Sequence, residues 1–273
     1  MAEGIHIELD GRSVRLPGDL PGADCAGGYC FGLYKAGSTL LLNALEALTK
    51  EPRVKAVDVL RLFHQAGAFP ERSVLSEPAQ TALANWLDRD GVLYFGWRQF
   101  PKNYRIPLRR ESRTFLLVRD PRDMITSHYF SLKYSHTTAG PGAEHVLRAR
   151  QRLQTLDIDT WALSQAGPVI GHFRNYEALG ETALKLCRYE DIVFDKAKLV
   201  NELCLQFGLD VSPARRGRIA SVLDQRPAEE NIHSHVRQVT PGDHRRKLKP
   251  STIEQLNRAL ADVLLKYGYI MDF

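Results

Sequence analysis

Two rhythms of apolar positions run through the chain. Short unbroken apolar stretches mark strands buried on both faces: Tyr29-Cys30-Phe31-Gly32-Leu33, Val92 to Trp97 opened by Gly91, Thr114 to Val118, and Ala183 to Cys187. Strict alternation appears on both sides of Asp10-Gly11, over Ile5 to Leu9 and Ser13 to Leu16, and predicts a hairpin. Between the strands, apolar residues recur at helical spacing and carry helix punctuation. Ser76 with Pro78 predicts a helix to about Leu87, and Asp195 predicts one through Phe207, stopped by Gly208. Ser212-Pro213 opens another, and Ser251 with Glu254 reads as a capping box for a last helix ending near Gly268. Ala143 to Leu179 reads as helix broken at Gly167-Pro168. Val54 to Phe63 fits a strand followed by a helix, and periodicity does not decide its boundaries.

Strands that alternate with helices imply a parallel sheet covered on both faces. With 273 residues, no internal repeat and no low-complexity linker, the chain reads as a single domain, 1–273, with an N-terminal hairpin at about 4–17. A hydrophobic content of 44% and a charged content of 25% suit a globular protein with a proper core. The formal net charge of +5 favours an anionic ligand but is too small to argue for nucleic acid. Four cysteines without a CxxC pair read as reduced, which points to a cytoplasmic setting. Neither a signal peptide nor an apolar run near the about 20 residues of a membrane span is visible.

The stretch richest in chemistry is Tyr34-Lys35-Ala36-Gly37-Ser38-Thr39, placed between the strand ending at Leu33 and the apolar run Leu40 to Leu48. At such a strand-to-helix turn several backbone N–H groups converge, and the helix dipole adds positive character. Gly32, Gly37 and Thr39 fall where a Walker A loop needs them, but the Walker lysine position holds Ser38 and the lysine lies inside the turn at Lys35. The loop is therefore expected to cradle phosphate oxygens without the usual lysine for a triphosphate tail. The fold class expected is α/β: a central parallel sheet flanked by helices on both faces, a three-layer sandwich like that of the P-loop NTPases.

Two further pieces follow. Arg119-Asp120-Pro121-Arg122-Asp123 stands just past a buried strand, where ligands of open α/β sheets bind. Asp120 and Pro121 are suited to start a helix, with Asp123 completing a reciprocal cap. Ser127 lies about two helical turns beyond Arg119, so an arginine and a hydroxyl there could hold a second phosphate. The alternative is that Arg119 merely pairs with Asp120 or Asp123. The third piece is the basic loop Arg237 to Lys247, with a turn at Pro241-Gly242; on charge alone it reads first as a solvated surface segment.

Together the three pieces resemble the sulfotransferases that use 3′-phosphoadenosine 5′-phosphosulfate (PAPS). That family has a PKSGTTW-type loop, an RDPRDVLVSxYxS-type strand-to-helix signature, a YED element and an RKGxxGDWK-type C-terminal loop. Here the counterparts are Tyr34 to Leu40, Arg119 to Ser131, Tyr189-Glu190-Asp191 and Arg237 to Arg245, in the same order. The resemblance implies that Lys35 and the amides of Ala36, Gly37, Ser38 and Thr39 hold the 5′-phosphosulfate, with Lys35 also stabilising the departing phosphate oxygen. It implies that Arg119 and Ser127 bind the 3′-phosphate, that Arg237 closes over it and that Tyr189 contacts the adenine. The reaction implied is sulfuryl transfer from PAPS to a hydroxyl or amine, leaving adenosine 3′,5′-bisphosphate (PAP), with no metal, no nucleic-acid partner and no membrane span.

The sequence departs from the family on both the donor and the acceptor side. Leu40 replaces the aromatic that ends the loop motif, Gln238-Val239 replaces Lys-Gly, and His235 stands where an adenine-stacking aromatic is expected. Where the family's histidine base usually lies, the chain has Arg98-Gln99-Phe100-Pro101, and a glutamine accepts no proton from an acceptor hydroxyl. Other branches of the family use a carboxylate downstream of the loop lysine, which makes Asp58, then His64, the candidates for general base. Each is equally readable as an ordinary helix charge or a partly buried histidine. The near-Walker loop leaves a nucleotide kinase or NTPase as an alternative, with Asp120 as its magnesium ligand, and the basic loop leaves a non-catalytic anion- or RNA-binding module. Carbohydrate, lipid, peptide and small-alcohol acceptors all stay open, as does the oligomeric state.

Overall fold

The computed structural model of the chain describes residues 4–9, 11–18, 26–50, 55–70, 73–136, 138, 143–226, 230 and 239–271. The chain divides into two compact units, Met1–Val118 with Tyr176–Asp224 and Arg119–Asn175 with Gln225–Phe273.

The first unit opens with the hairpin β1 (Ile5–Leu9) and β2 (Arg12–Leu16), paired antiparallel from Ile5↔Leu16 to Leu9↔Arg12. Next come β3 (Gly28–Gly32) and the helix α1 (Ser38–Leu48), then β4 (Lys55–Asp58) running straight into α2 (Val59–Gln65). The ambiguous stretch is thus a strand and a helix that meet at Asp58. Ser76 caps α3 (Glu77–Leu87) as its pattern predicts, accepting from Ala79 N. β5 (Val92–Trp97) and β6 (Arg113–Val118) follow.

The second unit begins with α4 (Pro121–Phe130), which continues as a π-helical turn over Ser131–Ser135. The pair α5 (Ala143–Arg152) and α6 (Ile158–Arg174) corrects the sequence reading. The break falls before Asp157, which caps α6, and not at Gly167-Pro168, which α6 runs through. Gly167 and Pro168 lie on the exposed face of α6, while Ala162, Ala166, Val169 and Phe173 are buried at helical spacing. Burial of that stripe outweighs the about 3 kcal/mol that a mid-helix proline costs, since the carbonyl it orphans faces water.

The chain then returns to the first unit through β7 (Ala183–Arg188), the single turn α7 (Tyr189–Ile192), α8 (Lys196–Phe207) and α9 (Pro213–Leu223). Asp195 caps α8, Gly208 ends it in the left-handed region, and Ser212 caps α9. The second unit closes with α10 (Asp243–Lys247), α11 (Pro250–Ala259) and α12 (Ala261–Lys266). The capping box expected at Ser251 is absent, because α11 starts one residue earlier: Pro250 takes the first helical position and Lys249 is the cap residue. Lys249 N donates instead to Asp159 of α6 at 2.9 Å.

Among the described residues five strands form a parallel sheet in the order β4-β5-β3-β6-β7, flanked by helices. Consecutive residues of β3, β5 and β6 are buried, so both faces of the sheet are covered, as the unbroken apolar runs imply. Strand order reverses between β3 and β6, and the crevice outside the carboxyl ends at such a reversal is where open α/β sheets bind ligands. The loop after β3 stands there, tied by Leu33 N donating to Leu117 O of β6 at 3.2 Å. No helix of the described residues is long and apolar enough to cross a membrane.

Candidate functional site

In the first unit, the loop Leu33 to Gly37 folds tightly, with Ala36 N donating to Leu33 O at 3.1 Å. Lys35 is held at φ 61, in the left-handed region, the one described non-glycine residue with positive φ. That conformation costs an L-residue about 1–2 kcal/mol, and strain of this kind collects at functional sites. Gly37, at φ 88, caps α1 without any side-chain hydrogen bond, and the first turn of α1 carries no acidic residue. Its opening N–H groups have no intrahelical partner, and no carboxylate within the turn neutralises them.

Gly37 is required on two counts. Its positive φ favours glycine, and a Cβ there would lie 2.7 Å from Tyr189 Cδ2 and 2.9 Å from Cε2. The buried Tyr189 ring therefore packs directly on the loop backbone, and two residues far apart in the chain form one surface. The base of the loop is held from the side by Tyr176, whose hydroxyl donates to Gly32 O at 2.9 Å and whose ring meets Phe31 and Phe100 edge-on. Tyr176 carried no motif and was invisible in the sequence.

The two base candidates stand at opposite ends of α2. Asp58 is the last residue of β4 and the cap of α2, accepting from Arg61 N at 3.0 Å. It is half-buried and lies against the Gly96 backbone, where an added Cβ would be 2.2 Å from Oδ1. Burial pushes its carboxyl upward, and the Arg61 amide and guanidinium hold part of that rise back. Because all five strands are parallel, Asp58 ends its strand at the same edge of the sheet from which the Lys35 loop springs. His64, in contrast, is exposed in the last turn of α2, with its ring 5.0 Å from that of Phe69.

In the second unit, Arg119 is buried and its Nη2 lies 3.3 Å from Asp123 Oδ2. The hydroxyl-bearing Ser127 is half-buried on α4, one turn before the π-helical segment. Asp120 caps α4 as expected, but Asp123 does not complete a reciprocal cap. The fully buried Asp123 carboxylate accepts instead from Gly242 N at 2.8 Å, from His244 N at 3.0 Å and from His244 Nδ1 at 2.7 Å. Burial opposes its charge, yet the His244 hydrogen bonds and the Arg119 guanidinium outweigh burial and hold it well below the usual carboxylate range. In the sequence His244 is one more member of a basic stretch, and its place directly after Gly242-Asp243 is the one signal that marks it.

Arg122 is the other buried arginine of the Arg-Asp-Pro segment. It donates to Asp120 through Nε at 3.0 Å and Nη2 at 2.6 Å, and to Asn257 Oδ1 at 2.6 Å and Ile270 O at 2.9 Å. Those contacts stitch α4 to α11 and the C-terminal segment. Arg237, His235 and Gln238 lie outside the described residues.

No family model and no curated protein sequence matches the chain. Solved structures do. Mouse sulfotransferase SULT7A1 complexed with PAP aligns with a TM-score of 0.54 at 13% identity, covering 98% of this chain and 96% of that one. Retinol dehydratase in a complex with retinol and PAP aligns with a TM-score of 0.50 at 14% identity, covering 97% and 90%. The chain therefore has the α/β fold of these proteins over nearly its whole length.

Proposed function

We propose that this chain is a sulfotransferase that moves the sulfuryl group of PAPS to a hydroxyl or amine acceptor in the cytoplasm. The observation that carries the reading is the Lys35 loop: a strained lysine, a helix start with no side-chain cap and no acid in its first turn, and an aromatic ring packed on its glycine. It supports binding of an anionic group with a planar base beside it, on a fold whose solved examples hold PAP. In this reading Lys35 and the amides of Ala36 to Thr39 hold the phosphosulfate, and Tyr189 contacts the adenine. Arg119, Ser127 and Arg237 take the 3′-phosphate. Lys35 stabilises negative charge on the leaving phosphate oxygen as the S–O bond breaks, the dominant contribution in transfers of this kind. Asp58, half-buried and made more basic by burial, takes the acceptor proton; exposed His64 is the weaker candidate. The buried, unpaired Cys30, Cys187 and Cys204 support a reducing setting.

The kinase or NTPase alternative loses ground at both its needs. Ser38 occupies the Walker lysine position, and both oxygens of Asp120, its magnesium candidate, already accept from Arg122. The modest net charge leaves an RNA-binding module without support.

Two measurements test the proposal. PAP at a hundred times its Kd should stabilise the protein by about 2.7 kcal/mol, and a thermal-shift titration without any rise in Tm rejects the assignment. With PAPS and a reactive acceptor, Asp58→Asn should lower kcat by about 10²–10⁴-fold with little change in stability, because asparagine caps helices as well as aspartate. Full turnover in Asp58→Asn together with its loss in His64→Ala transfers the role to His64.

A further inference from the structure

We infer that Asp123 and His244 are positioning residues that set the Arg119 guanidinium for the 3′-phosphate of the donor. This inference rests on the proposed reading of Arg119 as an anion ligand. Asp123 is fully buried on α4, one turn from Arg119, and its two oxygens face different tasks. Oδ2 receives Arg119 Nη2 at 3.3 Å and Gly242 N at 2.8 Å, while Oδ1 receives His244 N at 3.0 Å and His244 Nδ1 at 2.7 Å. A carboxylate accepting four donors has no rotamer freedom left, so the edge of the guanidinium that it touches is held in one plane. An arginine carries five N–H donors in that plane, and this contact engages one terminal nitrogen. The orientation of the whole fork is thereby defined before any ligand arrives. Preorganised donors cost no reorganisation when charge arrives.

His244 completes the arrangement. An ionised carboxylate accepts only, so His244 Nδ1 carries the hydrogen of the 2.7 Å bond, and the tautomer follows from the partner. The ring is almost wholly buried, and its Nε2 has no hydrogen-bond partner among the described residues. Burying an imidazole this way is costly, and the return is a doubly tied turn: backbone and side chain of one residue both bond one oxygen. That turn, Gly242 to His244, starts α10 and lies within the basic stretch of sequence from Arg237 to Lys247.

A role of this kind is separable from general stability because it touches one phosphate and not the other. The test compares the affinities of PAP and adenosine 5′-monophosphate, which lacks the 3′-phosphate, by calorimetry on wild type, His244→Ala and His244→Asn, with the melting temperature of each recorded. Asparagine places an N–H donor close to where Nδ1 stands; alanine places none. The expected result is a 10–100-fold loss of PAP affinity in His244→Ala, the range typical of losing an orienting partner, with 5′-monophosphate affinity unchanged and most of the loss recovered in His244→Asn. An unchanged ratio of the two affinities in a folded His244→Ala overturns the inference. Equal losses for both ligands, or no recovery in His244→Asn, also overturn it and leave a purely structural role. If wild type binds neither nucleotide, the functional proposal itself fails and takes this inference with it. Should His244→Ala not fold, Asp123→Asn gives the same comparison, since it keeps an acceptor for the two amides and lowers the charge facing Arg119.

Discussion

The Lys35 loop and the Arg119–Asp123–His244 cluster, the two regions proposed to hold anions, are built by opposite means. The loop relies on backbone: a tight turn, a glycine with a ring on it, a helix start without a neutralising acid. Its one charged side chain is half-buried and sits on a strained residue. The cluster relies on side chains: a buried arginine, a fully buried carboxylate and a buried histidine, satisfied mainly by one another. Backbone amides cannot be mutated away, so the loop is robust to sequence change apart from its lysine and glycine. A network of buried charges fails as a unit when one member is removed, because the survivors are left desolvated and unpaired.

The largest expected effect falls on the cluster. Asp123→Ala leaves Arg119 and His244 buried without their common partner and should cost about 3–5 kcal/mol of stability, readable by urea unfolding. The pH dependence has a definite sign. The Asp123 carboxyl is held below its ordinary value of 3.8, so its contribution is complete above that value and drains away as pH falls below it. Wild type should therefore lose unfolding free energy more steeply than Asp123→Asn on going from neutral to acid pH. Parallel acid profiles for the two proteins would show that the cluster is not coupled in this way.

The loop should respond in the opposite sense. Lys35→Gly removes the cation but relieves the left-handed strain, so stability should hold or rise by about 1 kcal/mol while kcat falls about 10²–10³-fold. A variant that is both less stable and fully active breaks the contrast between the two regions.

The smallest effect sharpens it. Gly37→Ala forces a Cβ to within 2.7 Å of the Tyr189 ring and places alanine at positive φ, at a cost of about 1–2 kcal/mol. Tyr189→Ala in the same background should return part of that stability by removing the clash, as a double-mutant cycle would register. Additive effects of the two substitutions would mean the ring and the glycine do not press on one another.

Much of this was legible in the residues themselves. Unbroken apolar runs announced the parallel strands, because a strand buried on both faces has no polar alternation to keep. Caps at Ser76, Asp120, Asp195 and Ser212 marked their helix starts, because a cap is a bond between residues three or fewer apart. Lys35, Gly37, Tyr189, Arg119 and Ser127 could be singled out from motif order alone. What misled were local signals with a distant competitor. Pro168 reads as a breaker until the buried stripe of α6 outweighs it, Ser251 as a cap until Pro250 takes the first helical position, and Asp123 as a cap until the turn at Gly242 and His244 claims both its oxygens.

The sequence by itself determined the order of strands and helices, the place of the Lys35 turn between strand and helix, and the residues worth testing, since each depends on neighbours within a turn or two. Only the tertiary structure decided which of those residues meet: Tyr189 on Gly37, Tyr176 beneath Gly32, Asp58 against Gly96, His244 on Asp123. Contacts between positions so far apart in the chain are set by sheet order and packing, and no short-range pattern carries that information.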